Sequence, residues 1–130
     1  MMDLPPHECT WPICRAAFIT KPGAEPVRTV LAMARTPGDL VALPELFVCG
    51  RSPDGKSGAS LLGGYMLLNR GSRAELIPQT ETRQEWGGGA GFALDVIGYS
   101  LELVTKSYAD SPILWSVYWR EVAFPATVVG

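Results

Sequence analysis

Residues 92–104 read FALDVIGYSLELV, and the spacing of apolar residues in this stretch decides the fold. Apolar residues occupy even-numbered positions before Gly98 and odd-numbered positions after it. The six are Phe92, Leu94, Val96, Tyr99, Leu101 and Leu103. Because side chains alternate between the two faces of a strand, all six share one core face only if a residue near Gly98 is unpaired. We therefore predict a glycine bulge or a sharp bend at Gly98, in a curved sheet.

The clearest single strand in the sequence spans residues 113–120. Its apolar residues recur at every second position, which is typical of a strand with one buried face. They are Ile113, Trp115, Val117 and Trp119, alternating with Leu114, Ser116, Tyr118 and Arg120.

Turn residues divide much of the remaining chain into shorter segments. These are an N-terminal arm at 1–10, strands at 13–20 and 40–49, a hairpin over 65–77 with its turn at 69–72, and a mobile connection at 78–91. Pro44 cannot donate a hydrogen bond to a neighbouring strand. It therefore marks a sheet edge, a bulge or a strand that begins at residue 45.

Residues 24–35 predict the one helix of the chain. Pro26 suits the first helical turn, and Glu25 suits the positive end of the helix dipole. An apolar stripe follows at helical spacing, formed by Val27, Val30, Leu31 and Ala34, and Thr36-Pro37-Gly38 ends the segment.

The sequence as a whole predicts an α+β fold in a single domain over residues 1–130. We expect a curved antiparallel sheet or small open barrel of about five or six strands, packed on the helix at 24–35. A doubly wound α/β fold is the alternative. Glycine (14) and proline (11) supply 25 of the 130 residues, which favours a turn-rich fold over a helical bundle.

Composition and charge restrict the classes of partner. Of the residues, 47% are hydrophobic and 18% charged, with a formal net charge of -2. This balance argues against nucleic acid as a partner. The apolar stretches are too short for a membrane span, and the N-terminus lacks the pattern of a secretory signal. We therefore expect a cytoplasmic protein without a membrane partner. A homodimer is one option for its oligomeric state, which the sequence leaves open.

The cysteines and the single histidine predict no metal site. Three cysteines, Cys9, Cys14 and Cys49, leave one unpaired in any disulfide scheme, so we expect three free thiols. The spacing of His7, Cys9 and Cys14 is not that of a structural zinc finger. No acid–base pair can be assigned either, and an enzyme is not favoured.

Residues 50–57 match the phosphate-binding pattern G-x-x-x-x-G-K-[ST]. In such a loop, backbone amides cradle phosphates, while the lysine and the serine hydroxyl reach the outer phosphates and Mg²⁺. The matching positions are Gly50, Gly55, Lys56 and Ser57, with Asp95 placed for a second motif, D-x-x-G. GTP or ATP with Mg²⁺ is therefore an alternative cofactor, although a plain turn at Pro53-Asp54-Gly55 explains the same residues.

Around this loop the chain resembles the ribosome-assembly (EngB-type) GTPases. The resemblance rests on residues 43–52 (LPELFVCGRS), Gly55-Lys56-Ser57, Leu68-Asn69-Arg70 and Gly98-Tyr99. It implies GTP binding by residues 50–57 with Asp95 near the metal. The guanine-specifying N/T-K-x-D motif of that family is not found after Asp95.

Aromatic residues carry a second hypothesis, that of a small-molecule pocket. Trp115 and Trp119 share one face of their strand, where core packing is the simpler explanation. The functional alternative is a cavity between helix and sheet that holds an apolar, aromatic or cationic ligand. Its predicted residues are Glu45, Asp95, Tyr99, Trp115 and Trp119. A binding domain without a cofactor, for such a ligand or for a protein partner at an exposed strand edge, is the leading prediction.

Overall fold

The computed structural model describes residues 7–10, 13–108 and 110–125, and all regular structure in them is β-strand. Every strand pairing is antiparallel. The strands are β1 (His7–Thr10), β2 (Ile13–Thr20), β3 (Val27–Met33), β4 (Leu40–Arg51), β5 (Gly58–Asn69), β6 (Ala74–Trp86), β7 (Ala90–Ile97), β8 (Ser100–Ser107) and β9 (Ile113–Phe124). These residues contain no helix, and hence none that could cross a membrane.

The strands form two sheets that pack face to face. The large sheet has the order β1-β2-β9-β4-β5-β6, and the small sheet has the order β3-β8-β7. The predicted α+β fold is therefore wrong, and so is its doubly wound alternative. An antiparallel sheet of six strands is present, but a second sheet occupies the place expected for the helix.

The predicted helix at 24–35 is strand β3, and a β-bulge explains the error. The pairing of β3 with β8 shifts register between Val30 and Ala32. As a result the consecutive residues Leu31 and Ala32 both face the core, where they are 3% and 4% exposed. When two adjacent residues are buried and further buried residues lie a few positions away on either side, their spacing resembles that of the apolar face of a helix. Val30, counted in the predicted stripe, is 44% exposed.

Gly98 has a φ of +60°, and a positive φ is what the predicted glycine bulge or bend requires. The glycine lies in a hairpin turn rather than in a bulge within one strand, because Ile97 pairs with Ser100 across a two-residue loop. A glycine with positive φ at the first of two loop positions is typical of a type II′ turn. The turn explains the change of parity, since it reverses the chain between β7 and β8.

Several other predicted elements agree with the structure, although most of them differ in extent. The strand at 13–20 is β2, and Pro44 lies at a bulge of β4, between Leu43 and Leu46. The hairpin turn at 69–72 joins β5 to β6. Residues 78–86, predicted as part of a mobile connection, instead continue β6 along the edge of the large sheet. Of the predicted arm, residues 7–10 form β1 and residues 1–6 lie outside the described residues.

The core lies between the sheets and contains two tryptophans from β9. Trp115 and Trp119 are each 1% exposed, and their indole N–H groups both find acceptors. Trp115 donates to the Oγ1 of Thr20 over 2.8 Å, and that oxygen lies 2.8 Å from the Oγ of Ser107 on β8. Trp119 donates to the carbonyl oxygen of Leu31. Hydrogen bonds between polar groups thus join the two sheets inside the core.

Candidate functional site

A pocket of about 300 Å³ opens between the edge strand β3 of the small sheet and strands β2 and β9 of the large sheet. Most of its lining is apolar, and two of its side chains carry opposite charges. The lining residues are Cys14, Val30, Leu31, Ala32, Met33, Arg35, Trp119 and Glu121.

The alternation of β9 places both Trp119 and Glu121 in this pocket. Ile113, Trp115, Val117 and Trp119 face the core at every second position, and Glu121 continues that row. Strand β9 extends beyond the predicted end at Arg120 to Phe124. At Glu121 the neighbouring strand β4 is bulged, because its pairing with β9 shifts register between Ala42 and Glu45. The carboxylate of Glu121 therefore lies at the edge of the core, next after the buried apolar residues of β9.

Glu121 is half-buried, and its surroundings favour the neutral carboxyl group. Burial raises the pKa of Glu121 above the ordinary value, because the charged form loses contact with water. None of the ion pairs among the described residues includes Glu121. Its carboxylate therefore faces the pocket without a positively charged protein partner in the described part of the chain.

Arg35 follows the end of β3 and stands at the mouth of the pocket. The residue is exposed, and its Nη2 donates to the Sδ of Met33 over 3.6 Å. A thioether sulfur is a weak acceptor. The guanidinium therefore keeps most of its hydrogen-bonding capacity for solvent or for a ligand.

The floor of the pocket is rigid and apolar. Trp119 is fixed by its 3.0 Å hydrogen bond to the carbonyl oxygen of Leu31, which lies in the bulge of β3. Beside it, Cys14 is 2% exposed and disulfide-bonded, whereas Cys49 is free. The prediction of three free thiols is therefore wrong. Cys9 is the backbone partner of Cys14 in the β1–β2 pair, and the side chains of His7 and Cys9 lie outside the described part.

Of the two tryptophans predicted to bind a ligand, only Trp119 lines this pocket. Trp115 lies deeper in the core, where Phe92 packs edge-on against it with ring centroids 6.4 Å apart. One face of Trp115 covers Gly50 so closely that a Cβ there would come within 2.5 Å of the ring. Trp115 thus packs in the core, which was the simpler explanation for its position on the strand.

The other three predicted ligand residues lie apart from the pocket and from one another. Glu45 is exposed on the outer face of the large sheet, opposite Arg120. Asp95 accepts a hydrogen bond from Arg28 over 3.1 Å on the small sheet. Tyr99 belongs to the Gly98 turn and is 38% exposed. The structure does not bring these side chains together.

The segment that matches the phosphate-binding pattern is the tip of the β4–β5 hairpin. Its backbone amides find acceptors inside the loop: the N–H of Gly55 donates to the carbonyl of Ser52 over 2.9 Å, and the N–H of Lys56 donates to the carboxylate of Asp54 over 3.0 Å. The N–H of Ser57 donates to the Oγ of Ser52 over 3.1 Å. These amides do not form an open cradle for a phosphate.

The residues after this loop also depart from a phosphate-binding fold. Beyond Ser57 the chain forms strand β5, where the pattern requires a helix. Asp95, expected near the metal, pairs with Arg28 instead. Among the described residues no group of three or more histidine, cysteine, aspartate or glutamate side chains could hold a metal ion.

Glu121 and Arg35, the two charged residues of the pocket, were not predicted from the sequence. A signal for Glu121 was present, because one more step of the alternation through Trp119 reaches it. Arg35 lies in the segment that was predicted to be a helix, outside its apolar stripe. Its place beside the pocket depends on the bulge of β3, for which the sequence gives no clear sign.

No protein-family model matches the chain, and no curated protein matches it significantly. The pocket and its charged residues are therefore the basis for a functional assignment.

Proposed function

We propose that this chain is a small-molecule-binding domain, and that its pocket takes a compact apolar or aromatic ligand carrying a cationic group. The main support for the proposal is the carboxylate of Glu121, which is half-buried in a largely apolar pocket and forms no ion pair with any described residue. Removing a carboxylate from water is unfavourable unless a partner replaces the lost hydration. A ligand ammonium group bound at Glu121 would be that partner.

The remaining lining supports an apolar body for the ligand. Leu31 and Trp119 provide a flat, buried wall, and Met33 is a flexible apolar side chain at the edge. A volume of about 300 Å³ is at the lower end of the usual range for ligand sites. The pocket therefore suits a molecule of one ring or a short branched chain.

The alternative functions receive less support. The hairpin tip at 52–57 has no open amide cradle, so we do not propose nucleotide binding. The long edge strand β6 carries Pro78 and the charged residues Glu81, Arg83 and Glu85, and such features discourage pairing with another strand. A protein partner at a strand edge stays a prediction from the sequence, and so does a homodimer.

A cytoplasmic location is not part of the proposal. A cytoplasmic location would predict free thiols, whereas Cys14 is disulfide-bonded. Disulfides are rare in reducing compartments.

Calorimetric titration with 2-phenylethylamine at neutral pH tests the proposal. We expect saturable binding by the native protein and binding at least about tenfold weaker by Glu121→Gln, because the amide keeps the shape but loses the charge. Glu45→Gln is the matched control, since Glu45 is exposed on the outer face of the large sheet. It should bind like the native protein. No binding by the native protein, or equal affinity of all three proteins, would overturn the proposal.

A further inference from the structure

Two opposite charges line the pocket without pairing to each other. Arg35 and Glu121 both contribute to its wall. Neither occurs in an ion pair among the described residues. Burial raises the pKa of Glu121. The two groups are thus separated, and each is open to a ligand.

The other described residues of the pocket offer a ligand few polar side-chain atoms. The indole N–H of Trp119 already donates to Leu31, and the other lining side chains are aliphatic or contain sulfur. Recognition of polar groups on a ligand therefore falls to Arg35 and Glu121.

We infer that the natural ligand is a small zwitterion, whose ammonium group binds Glu121, whose carboxylate binds Arg35 and whose apolar body lies against Leu31 and Trp119. This inference rests on the proposed function and adds a carboxylate to the ligand. Guanidinium binds carboxylates through paired N–H donors, which gives both affinity and orientation. A free amino acid with an apolar side chain is the simplest molecule of this class.

Arg35 and Glu121 differ in exposure, and this difference indicates which end of the ligand lies deeper in the pocket. Arg35 is exposed, so solvent screens its repulsion of a bound ammonium group. Glu121 is half-buried, so its attraction for the same group is screened less. The weak hydrogen bond from Arg35 to the sulfur of Met33 is readily exchanged for a carboxylate. The ammonium end therefore points inward and the carboxylate end lies at the mouth.

Three compounds that share one phenylethyl body test the inference by calorimetry. They are L-phenylalanine, 2-phenylethylamine, which lacks the carboxylate, and 3-phenylpropionate, which lacks the amine. We expect phenylalanine to bind at least about tenfold tighter than either of the others. In Arg35→Gln its advantage over 2-phenylethylamine should fall to within about threefold. Arg120→Gln is the control, because Arg120 adjoins Glu121 in β9 but is exposed on the opposite face, and it should keep the full advantage.

The outcomes separate this inference from the proposed function. If 2-phenylethylamine binds through Glu121 and phenylalanine binds no tighter, the zwitterion is overturned while the proposed function stands. A tighter binding of phenylalanine that Arg35→Gln leaves unchanged also overturns it, as does equal affinity for 3-phenylpropionate. If neither phenylalanine nor 2-phenylethylamine binds, both proposals fail.

Discussion

The indole N–H of Trp119 donates a 3.0 Å hydrogen bond to the carbonyl oxygen of Leu31, and both residues are at least 97% buried. The two residues lie 88 positions apart in the chain. The bond joins β9 of the large sheet to the bulge of β3 in the small sheet. It therefore fixes the distance between the sheets at the point where the pocket begins.

Trp119→Phe should lower the free energy of unfolding by about 1–3 kcal/mol beyond the effect of lost ring area. The substitution leaves the buried carbonyl of Leu31 without its donor, and an unsatisfied buried acceptor is costly. A urea melt measures the change. Trp86→Phe is the control, because Trp86 donates to Gly55 but is 40% exposed, so water can replace the bond. Equal losses in the two variants would show that the Leu31 bond contributes little.

Gly98→Val should destabilise the protein by more than about 1 kcal/mol, because a β-branched residue is strained at positive φ. A Cβ at Gly98 would have no atom within 4 Å, so the loss reflects the backbone alone. Gly98→Asn should be less harmful, since asparagine tolerates the left-handed region. A valine variant whose urea midpoint equals that of the native protein would contradict the turn.

Thiol titration of the denatured protein without reductant should find one reactive group per chain. A disulfide at Cys14 uses two of the three cysteines and leaves Cys49. Reductant should raise the number to three and lower the melting temperature, because the cross-link restricts the unfolded chain. Three thiols before reduction would show that no disulfide forms.

Glu121 should make stability fall as the pH rises. Its pKa in the folded protein lies above the ordinary 4.5, so folding takes up a proton between these two values and the free energy of unfolding decreases across that window. The Glu121→Gln variant has no carboxyl group at this position, so it does not lose stability in this way. We therefore expect it to gain stability relative to the native protein as the pH rises from below 4.5 through the raised pKa of Glu121, in urea melts with Glu45→Gln as the control. If the stability gained by Glu121→Gln over the native protein stays constant or shrinks as the pH rises, the result would contradict the burial of Glu121.

Local patterns in the sequence were sufficient for individual strands and turns, but not for the fold class. Alternation identified β9, and turn residues located the β5–β6 hairpin and the positive φ of Gly98. The bulge at Leu31 was not predictable in this way, because it places two neighbouring residues in the core and so imitates a helix. The pocket depends on that bulge and on the packing of two sheets. Of its residues only Trp119 was therefore predicted, and Glu121 was missed by one step of the β9 alternation.

The central claim is that a ligand enters beside Trp119 and Glu121, and the indole N–H signals of the four tryptophans test it most directly. In ¹⁵N-labelled protein the signal that disappears in Trp119→Phe belongs to Trp119, and Trp86→Phe identifies that of Trp86. Adding 2-phenylethylamine should shift the Trp119 signal saturably in the native protein, much less in Glu121→Gln, and leave the Trp86 signal in place. A Trp119 signal that does not move, or moves equally in both proteins, would contradict the account.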